Sequence, residues 1–268
     1  MEDFDTDPES KDRNFVTALA RGLEILRCFR RDDLTLTNSD FSERTGLPKA
    51  TISRLTHTLC ALDYLVADSR VGTYRLSAGV LRLGLARLAA IDIRDRAKHE
   101  MNLLRVGGPN PFVSCALGEQ HRTEVIYLAT ENSTEQIALV MGVGSRMPLF
   151  HSAIGKAILA VTPEERCEQI FGFARDEGAQ VEDEARTAYK DALAEYKANG
   201  FCSGYGQWRT DVNGIAVPVQ SLNDGRVYGL NVGGPAFRVK RKQLESVYAD
   251  RLMKVADALS LRHEQASA

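Results

Sequence analysis

Cysteine is scarce and scattered in this 268-residue chain: Cys28, Cys60, Cys115, Cys167 and Cys202 are odd in number and include no Cys-x-x-Cys pair. That usage argues against a disulfide framework and a thiolate zinc site, and it suits a reducing cytoplasm. No run of about twenty apolar residues occurs. The opening Met1-Glu2-Asp3-Phe4-Asp5 is acidic, where a secretory leader is basic and then apolar. The chain is therefore expected to be cytoplasmic and to have no membrane partner. Catalytic signatures are also lacking: there is no Gly-x-Ser-x-Gly elbow, no His-Glu-x-x-His helix and no phosphate loop around Lys156. His57, His99, His121, His151 and His263 form no ligand-spaced cluster. His151 beside Ser152 is the best candidate for a hydrolytic pair, yet neighbours on a strand point to opposite faces. No metal, cofactor or enzymatic activity is expected.

What is present is an uneven distribution of charge. The formal net charge is -2, but residues 13–99 carry fifteen Lys or Arg against nine acids, and residues 1–12 carry six acids against one Lys. A basic module joined to a near-neutral one fits a protein that meets nucleic acid with one part only. Residues 1–13 read as a disordered acidic tail. From Asn14 to Arg31, Val16, Leu19, Leu23 and Leu26 recur at helical period, with Ile25 and Phe29 widening the stripe. The stripe can pack within its own domain or between two copies. A short helix follows, with Thr37 or Asn38 as N-cap and Gly46 as the stop. Pro48, at the first helical position, opens a second helix that reaches near Asp63 and buries Ile52, Leu55, Leu59 and Leu62. Residues 65–67 and 73–76 around a turn with Gly72 read as a β-hairpin. Together residues 14–76 form a winged helix-turn-helix.

Residues 77–99 return to helical spacing and read as a connecting helix, with Gly79 and Gly84 weakening it. The second domain spans 100–262, and 263–268 is a tail. Strand candidates are 112–117, 124–129, 136–140, 214–219 and 227–232, the last two joined by Asn223-Asp224-Gly225. Helical patterns cover 152–161, a segment opening at Pro163, 187–199 stopped by Gly200, and 239–262. Strands, then helices, then strands predict a two-domain α/β fold of the α+β kind rather than βαβ repeats.

Four segments resemble the IclR family of bacterial transcriptional regulators. They are Ala18-Leu19-Ala20-Arg21-Gly22-Leu23-Glu24-Ile25-Leu26; the helix from Gly46-Leu47-Pro48-Lys49-Ala50-Thr51 to Leu62 with its wing; Met147-Pro148-Leu149-Phe150-His151-Ser152-Ala153-Ile154-Gly155-Lys156-Ala157-Ile158-Leu159-Ala160; and Ile215-Ala216-Val217-Pro218-Val219 followed by Gly229-Leu230-Asn231-Val232-Gly233-Gly234-Pro235. Their order covers about residues 14–262. The resemblance implies a winged helix-turn-helix, a connecting helix and a C-terminal GAF-like antiparallel sheet with flanking helices. It implies a homodimer or homotetramer on a palindromic double-stranded DNA operator. It also implies a small organic acid as effector, and control, as repressor or activator, of a catabolic operon.

In the second helix of the motif, Arg54 is the strongest base-edge candidate, because a guanidinium pairs with guanine O6 and N7. Lys49, Thr51, Ser53 and His57 share its polar side, and Pro48 sets the helix start. Thr37, Asn38 and Ser39 at a helix N-terminus suit phosphate. Arg70 and Arg75 on the wing suit the backbone or the minor groove. One helix reads few base pairs, so two copies on half-sites are needed. For the effector, the resemblance places Ser152, Ala153 and Ile154 on one wall. Gly214 stands where many members have Cys, and Asn231-Val232-Gly233 where many have Ser-x-Ser. Fewer hydroxyls and more aromatic surface favour a bulky or aromatic acid: Tyr205 and Trp208 would stack on the ring, and Arg209, Ser152 or Asn231 would hold the carboxylate. Trp208 equally reads as a packing residue. The competing classes are a cytosolic sensor acting through protein partners and a hydrolase built on the C-terminal domain.

Overall fold

The computed structural model describes residues 14–30, 32–136, 141–221 and 225–260. The expected tails, nearly all of the 136–140 strand and most of the 223–225 turn lie outside them. The chain divides into two compact units, Met1–Ala90 and Ile91–Ala268.

The first unit runs α1 (Thr17–Arg27), β1 (Leu36–Thr37), α2 (Asn38–Thr45), α3 (Lys49–Ala61), β2 (Leu65–Asp68), β3 (Thr73–Leu76) and α4 (Ala78–Ala89). β2 and β3 pair antiparallel as the wing, and β1, too short to show a sequence pattern, adds a third strand in the order β1-β3-β2. Ile25, Leu36, Phe41, Ile52, Leu59 and Leu65 form the core, with the Phe29 ring edge-on to Phe41 at 5.7 Å. α2 starts where it does because of Thr37. Its hydroxyl accepts from Asp40 N, and the Asp40 carboxylate accepts from Thr37 N at 2.7 Å, a reciprocal capping box. Those bonds hold the Asp40 carboxyl below its ordinary range. At the other end Gly46 takes φ 69°, the left-handed geometry that terminates helices. Thr37→Ala is expected to cost about 1 kcal/mol of stability, read as a lower midpoint in urea denaturation.

Two details differ from the sequence expectation, and two more were beyond it. Pro48 is the N-cap of α3, extended at φ -60° and ψ 141°, rather than its first helical residue. α3 ends at Ala61 and Asp63 takes φ 58°, so Leu62 turns outward and is 60% exposed. Thr56 is buried on the core side, its hydroxyl donating back to Ile52 O at 3.0 Å. On α1 only Ile25 is fully buried, whereas Val16, Leu19 and Leu23 face outward. The apolar stripe is wider than the core it meets.

In place of one connecting helix over 77–99 there are two. α4 ends at Ala89, and α5 (Ile93–Val106) opens in the second unit with the Asp92 carboxylate accepting from Ile93 N at 2.8 Å. The interruption falls at residues 90–92, not at Gly79 or Gly84, which α4 accommodates. After α5 come β4 (Ser114–His121), β5 (Glu124–Glu131), β6 (Arg146–Pro148), α6 (Ala153–Leu159), α7 (Glu164–Glu177), α8 (Ala179–Asn199), β7 (Cys202–Ser203), β8 (Val212–Gln220) and β9 (Val227–Pro235). A short α9 (Arg241–Gln243), a π-helical turn (Leu244–Tyr248) and α10 (Ala249–Ser260) close the unit. The sheet is antiparallel throughout, in the order β6-β5-β4-β9-β8-β7. α5 and α10 pack on one side of it, while α6 lies on the other under α7 and α8. α6 can settle this closely because Ile154 fills the space that a Cβ on Gly118 or Gly229 would take. Among the described residues no helix is long and apolar enough to cross a membrane.

Candidate functional site

α3 has one buried side and one open side. Ile52, Thr56 and Leu59 point into the core, and Ala50, Ser53, Arg54, His57 and Ala61 lie opposite and exposed. Among the described residues no acid pairs with Lys49, Arg54 or His57. Thr51 lies off this surface, half-buried in a groove with Ala18, Gly22, Leu55 and Thr58 on the α1 side. Asn38 Nδ2 donates to Ser53 Oγ at 3.2 Å, bridging the start of α2 to α3, and its Oδ1 is buried without a partner. The Thr37 side chain is committed to the capping box, which leaves exposed Ser39 and the first backbone N–H groups of α2 facing outward. On the wing, Arg70 is 91% exposed beside Asp68, and Arg75 is exposed on β3 opposite Val66.

In the second unit a cavity of about 50 Å³ opens between α6 and the β4, β8 and β9 strands. It brings together Ser152, Ala153, Ile154, Trp208 and Asn231 from the sequence expectation, along with Gly214. Sequence reading missed Cys115, Tyr127, Thr130, Asn132, Met141, Met147, His151 and Asn213, which also line it. Two of the expected groups lie elsewhere. Tyr205 donates to Glu245 at 2.8 Å under the Arg241 guanidinium. Arg209 grips Asp211 through two bonds of 2.9 and 2.6 Å and is absent from the cavity wall. Ser152 is present, but its hydroxyl accepts from Gly155 N and donates to Pro148 O at 2.6 Å, so it is spent on capping α6.

The cavity lining holds no Lys, Arg, Asp or Glu. Burial pushes the Tyr127 phenol up to about 12, and the Cys115 thiol likewise to about 12. Asn231 Nδ2 donates to Tyr127 Oη at 3.2 Å, leaving the Asn231 Oδ1 buried as an unused acceptor. Lys156, in the motif beside the cavity, is buried and fixed on Glu195 at 3.0 Å; the same carboxylate accepts from Ser203 N at 2.9 Å. One buried ion pair thus ties α6, α8 and β7 together. Among the described residues no group of His, Cys, Asp or Glu could hold a metal ion.

A winged helix-turn-helix unit is thus followed by a unit built on a curled antiparallel sheet that holds a small cavity. The family profile described as the IclR helix-turn-helix domain matches residues 18–69, and that described as the bacterial transcriptional regulator IclR C-terminal domain matches residues 86–261. The chain belongs to the IclR family of bacterial transcriptional regulators. It is 33% identical over 235 residues to the HTH-type transcriptional regulator TsaQ1/TsaQ2 of Comamonas testosteroni, covering 86% of this chain and 82% of that one. A crystal structure of an IclR family transcriptional regulator from Brucella abortus matches with TM-score 0.81 and 37% identity over 96% of both chains. An IclR homolog from Microbacterium hydrocarbonoxydans, crystallised with 4-hydroxybenzoate, shares the fold with TM-score 0.68 at 21% identity, over 91% of this chain and 97% of that one.

Proposed function

We propose that this regulator reads duplex DNA with the open side of α3, binds a palindromic operator as a dimer, and answers to a small aromatic acid held in the second unit. The observation that carries the reading is the division of α3, with three side chains in the core and Ser53, Arg54 and His57 exposed without a competing acid. Ser39 and the start of α2 take a phosphate, and Arg70 and Arg75 of the wing follow the backbone. The Thr37 and Asn38 side chains act through capping and bridging.

Two copies are needed, since one helix covers few base pairs. Support for self-association comes from Val16, Leu19 and Leu23 on α1 and Leu81, Leu83 and Leu85 on α4, all exposed. So many large apolar side chains facing outward on one unit favour an interface over free solvent.

The effector reading rests on the cavity wall. Trp208, Met141 and Met147 supply apolar surface and Asn231 an open acceptor for a hydroxyl. The M. hydrocarbonoxydans homolog, which carries 4-hydroxybenzoate, points to the same ligand class. A cavity of 50 Å³ is about a third of the roughly 150 Å³ that accepts benzene, so a ring enters by displacing the flexible Met141 or Met147. The test is fluorescence anisotropy on the duplex upstream of the protein's own gene, with a thermal-shift panel of acids. Binding that falls steeply with salt, and a melting rise with hydroxybenzoates but not with two-carbon oxoacids, is the expected result. DNA binding absent at low salt defeats the first half; stabilisation by short aliphatic oxoacids alone defeats the second.

A further inference from the structure

An organic acid bound in this cavity faces a difficulty that the lining itself poses. A buried carboxylate without a charged or strongly donating partner is costly. The wall offers neutral amides, hydroxyls, a phenol and a thiol, both of the latter held protonated by burial. The nearest lysine, Lys156, is already consumed by Glu195. Arg209 is consumed by Asp211 and stands off the wall. One lining residue is able to carry positive charge, and that residue is His151.

His151 is placed differently from the rest of the wall. Immediately beside the cavity, an open groove of about 940 Å³ runs along α8 past Phe150, Asp183, Thr187 and Asp191. His151 is the single described residue that lines both compartments. It stands at the mouth, half-exposed, on the short turn between β6 and α6. Its Nε2 lies 3.5 Å from the Glu184 carboxylate of α8, also half-exposed. The other charged groups facing the groove are Asp183, Asp191 and the Lys156–Glu195 pair. An imidazolium has two N–H donors. Nε2 faces Glu184, which leaves Nδ1 turned to the entrance, where it makes no hydrogen bond to any described residue and a bound carboxylate would find a donor.

We propose that His151 receives the effector's carboxylate at the cavity mouth, with Glu184 as the positioning residue that orients the ring. This rests on the organic-acid reading above and names the group that selects for the acid. It also explains how so small a cavity serves an acid: the charged end stays half-solvated at the mouth and only the apolar body goes inside. The surrounding acids Glu184, Asp183 and Asp191 then set the selectivity, repelling carboxylates not seated on the imidazole.

The experiment is isothermal titration of the full-length protein with 4-hydroxybenzoate and with 4-hydroxybenzamide, its neutral counterpart of the same shape. The wild type is expected to prefer the acid at least tenfold. His151→Ala should lose at least tenfold in acid affinity, leave amide affinity within twofold and keep the melting temperature, since the side chain is exposed. His151→Lys, which restores a cation, should recover most of the acid preference, and Glu184→Ala should weaken the acid a few-fold with the amide unchanged. Acid preference undiminished in His151→Ala overturns this assignment alone. Equal loss of acid and amide overturns it in favour of a merely structural role. Failure of the wild type to bind either compound overturns the aromatic-acid reading, and the assignment falls with it.

Discussion

Arg54→Ala is expected to cut affinity for the operator at least thirtyfold while leaving the fold intact. Arg54 sits near the middle of the open side of α3, one turn before Thr58, whose hydroxyl donates to Arg54 O at 3.0 Å. It is exposed and forms no ion pair among the described residues, so truncating it leaves no buried charge stranded. A bidentate arginine–guanine contact is worth about 1–3 kcal/mol of discrimination, and a symmetric pair of half-sites doubles that to about 2–6 kcal/mol. A base contact also predicts a particular pattern. The loss should be large on the operator and small on random duplex, with little change in the slope of affinity against salt. Arg70→Ala, on the wing, should instead weaken both duplexes alike and flatten the salt slope by about one phosphate contact. Anisotropy titrations of both variants at three salt concentrations separate the two behaviours. Equal loss on operator and random DNA for Arg54→Ala would move it from base reading to backbone contact.

The first unit was legible in the sequence because its signals are local. Thr37 to Asp40 is three residues, Gly46 follows a helix of eight residues, and the wing is a hairpin closed by a short turn. Errors came where a helical pattern outran its packing. Leu62 fits the period of α3, yet the chain has left the helix at Asp63 with φ 58°. On α1 the stripe, whose neighbours the sequence left open, divides: Ile25 is buried and Leu26 packs against the core, while Leu19 and Leu23 stay exposed. Periodicity reports apolar positions and cannot say which of two neighbours covers them. The break between α4 and α5 was hidden for a related reason. Residues 90–92 carry no Pro or Gly, and the stop is set by where the second unit begins to pack Ile91 and Ile93.

The cavity proposed for the effector was only half legible. Its first wall, Ser152 to Ile154, is a contiguous motif that a sequence displays directly. The opposite wall is assembled from Cys115, Tyr127, Asn213 and Asn231, four strand positions separated by up to 116 residues and brought together by the β5-β4-β9-β8 register. Nothing local marks them. Tyr205 and Arg209 looked like ligand groups because they are polar or aromatic near the motif. They are satisfied by Glu245, forty residues on, and by Asp211, two residues on, and the first of those partners is a long-range accident of packing.

Gly155→Ala is expected to damage the second unit more than any other single methyl group added to the cavity wall motif. A Cβ there would lie 1.9 Å from Leu149 O and 2.6 Å from Leu149 C, both backbone atoms. Neither side can retreat. Leu149 is fully buried with its N–H on Thr123 O at 2.9 Å, and the Ser152 hydroxyl clamps the turn to both Pro148 O and Gly155 N. α6 is held from the other direction, since Ile154 already fills the gaps over Gly118 and Gly229, and Lys156 is tied to Glu195. Overpacking in a core costs about 1–3 kcal/mol when side chains can adjust; against fixed backbone on both sides, about 3 kcal/mol or more is expected. For a unit of this size that is a fall of roughly 6–12 °C in the melting of the second unit. The displaced Ser152–Ile154 wall should also abolish any thermal shift by acids. DNA binding by the first unit at low temperature, where both units remain folded, should be retained. Gly172→Ala provides the control: it lies inside α7 with nothing within 4 Å of its Cβ position, so it should be neutral or stabilise by up to about 1 kcal/mol. If the two variants melt alike, the close approach of α6 to Leu149 is not what holds this wall in place.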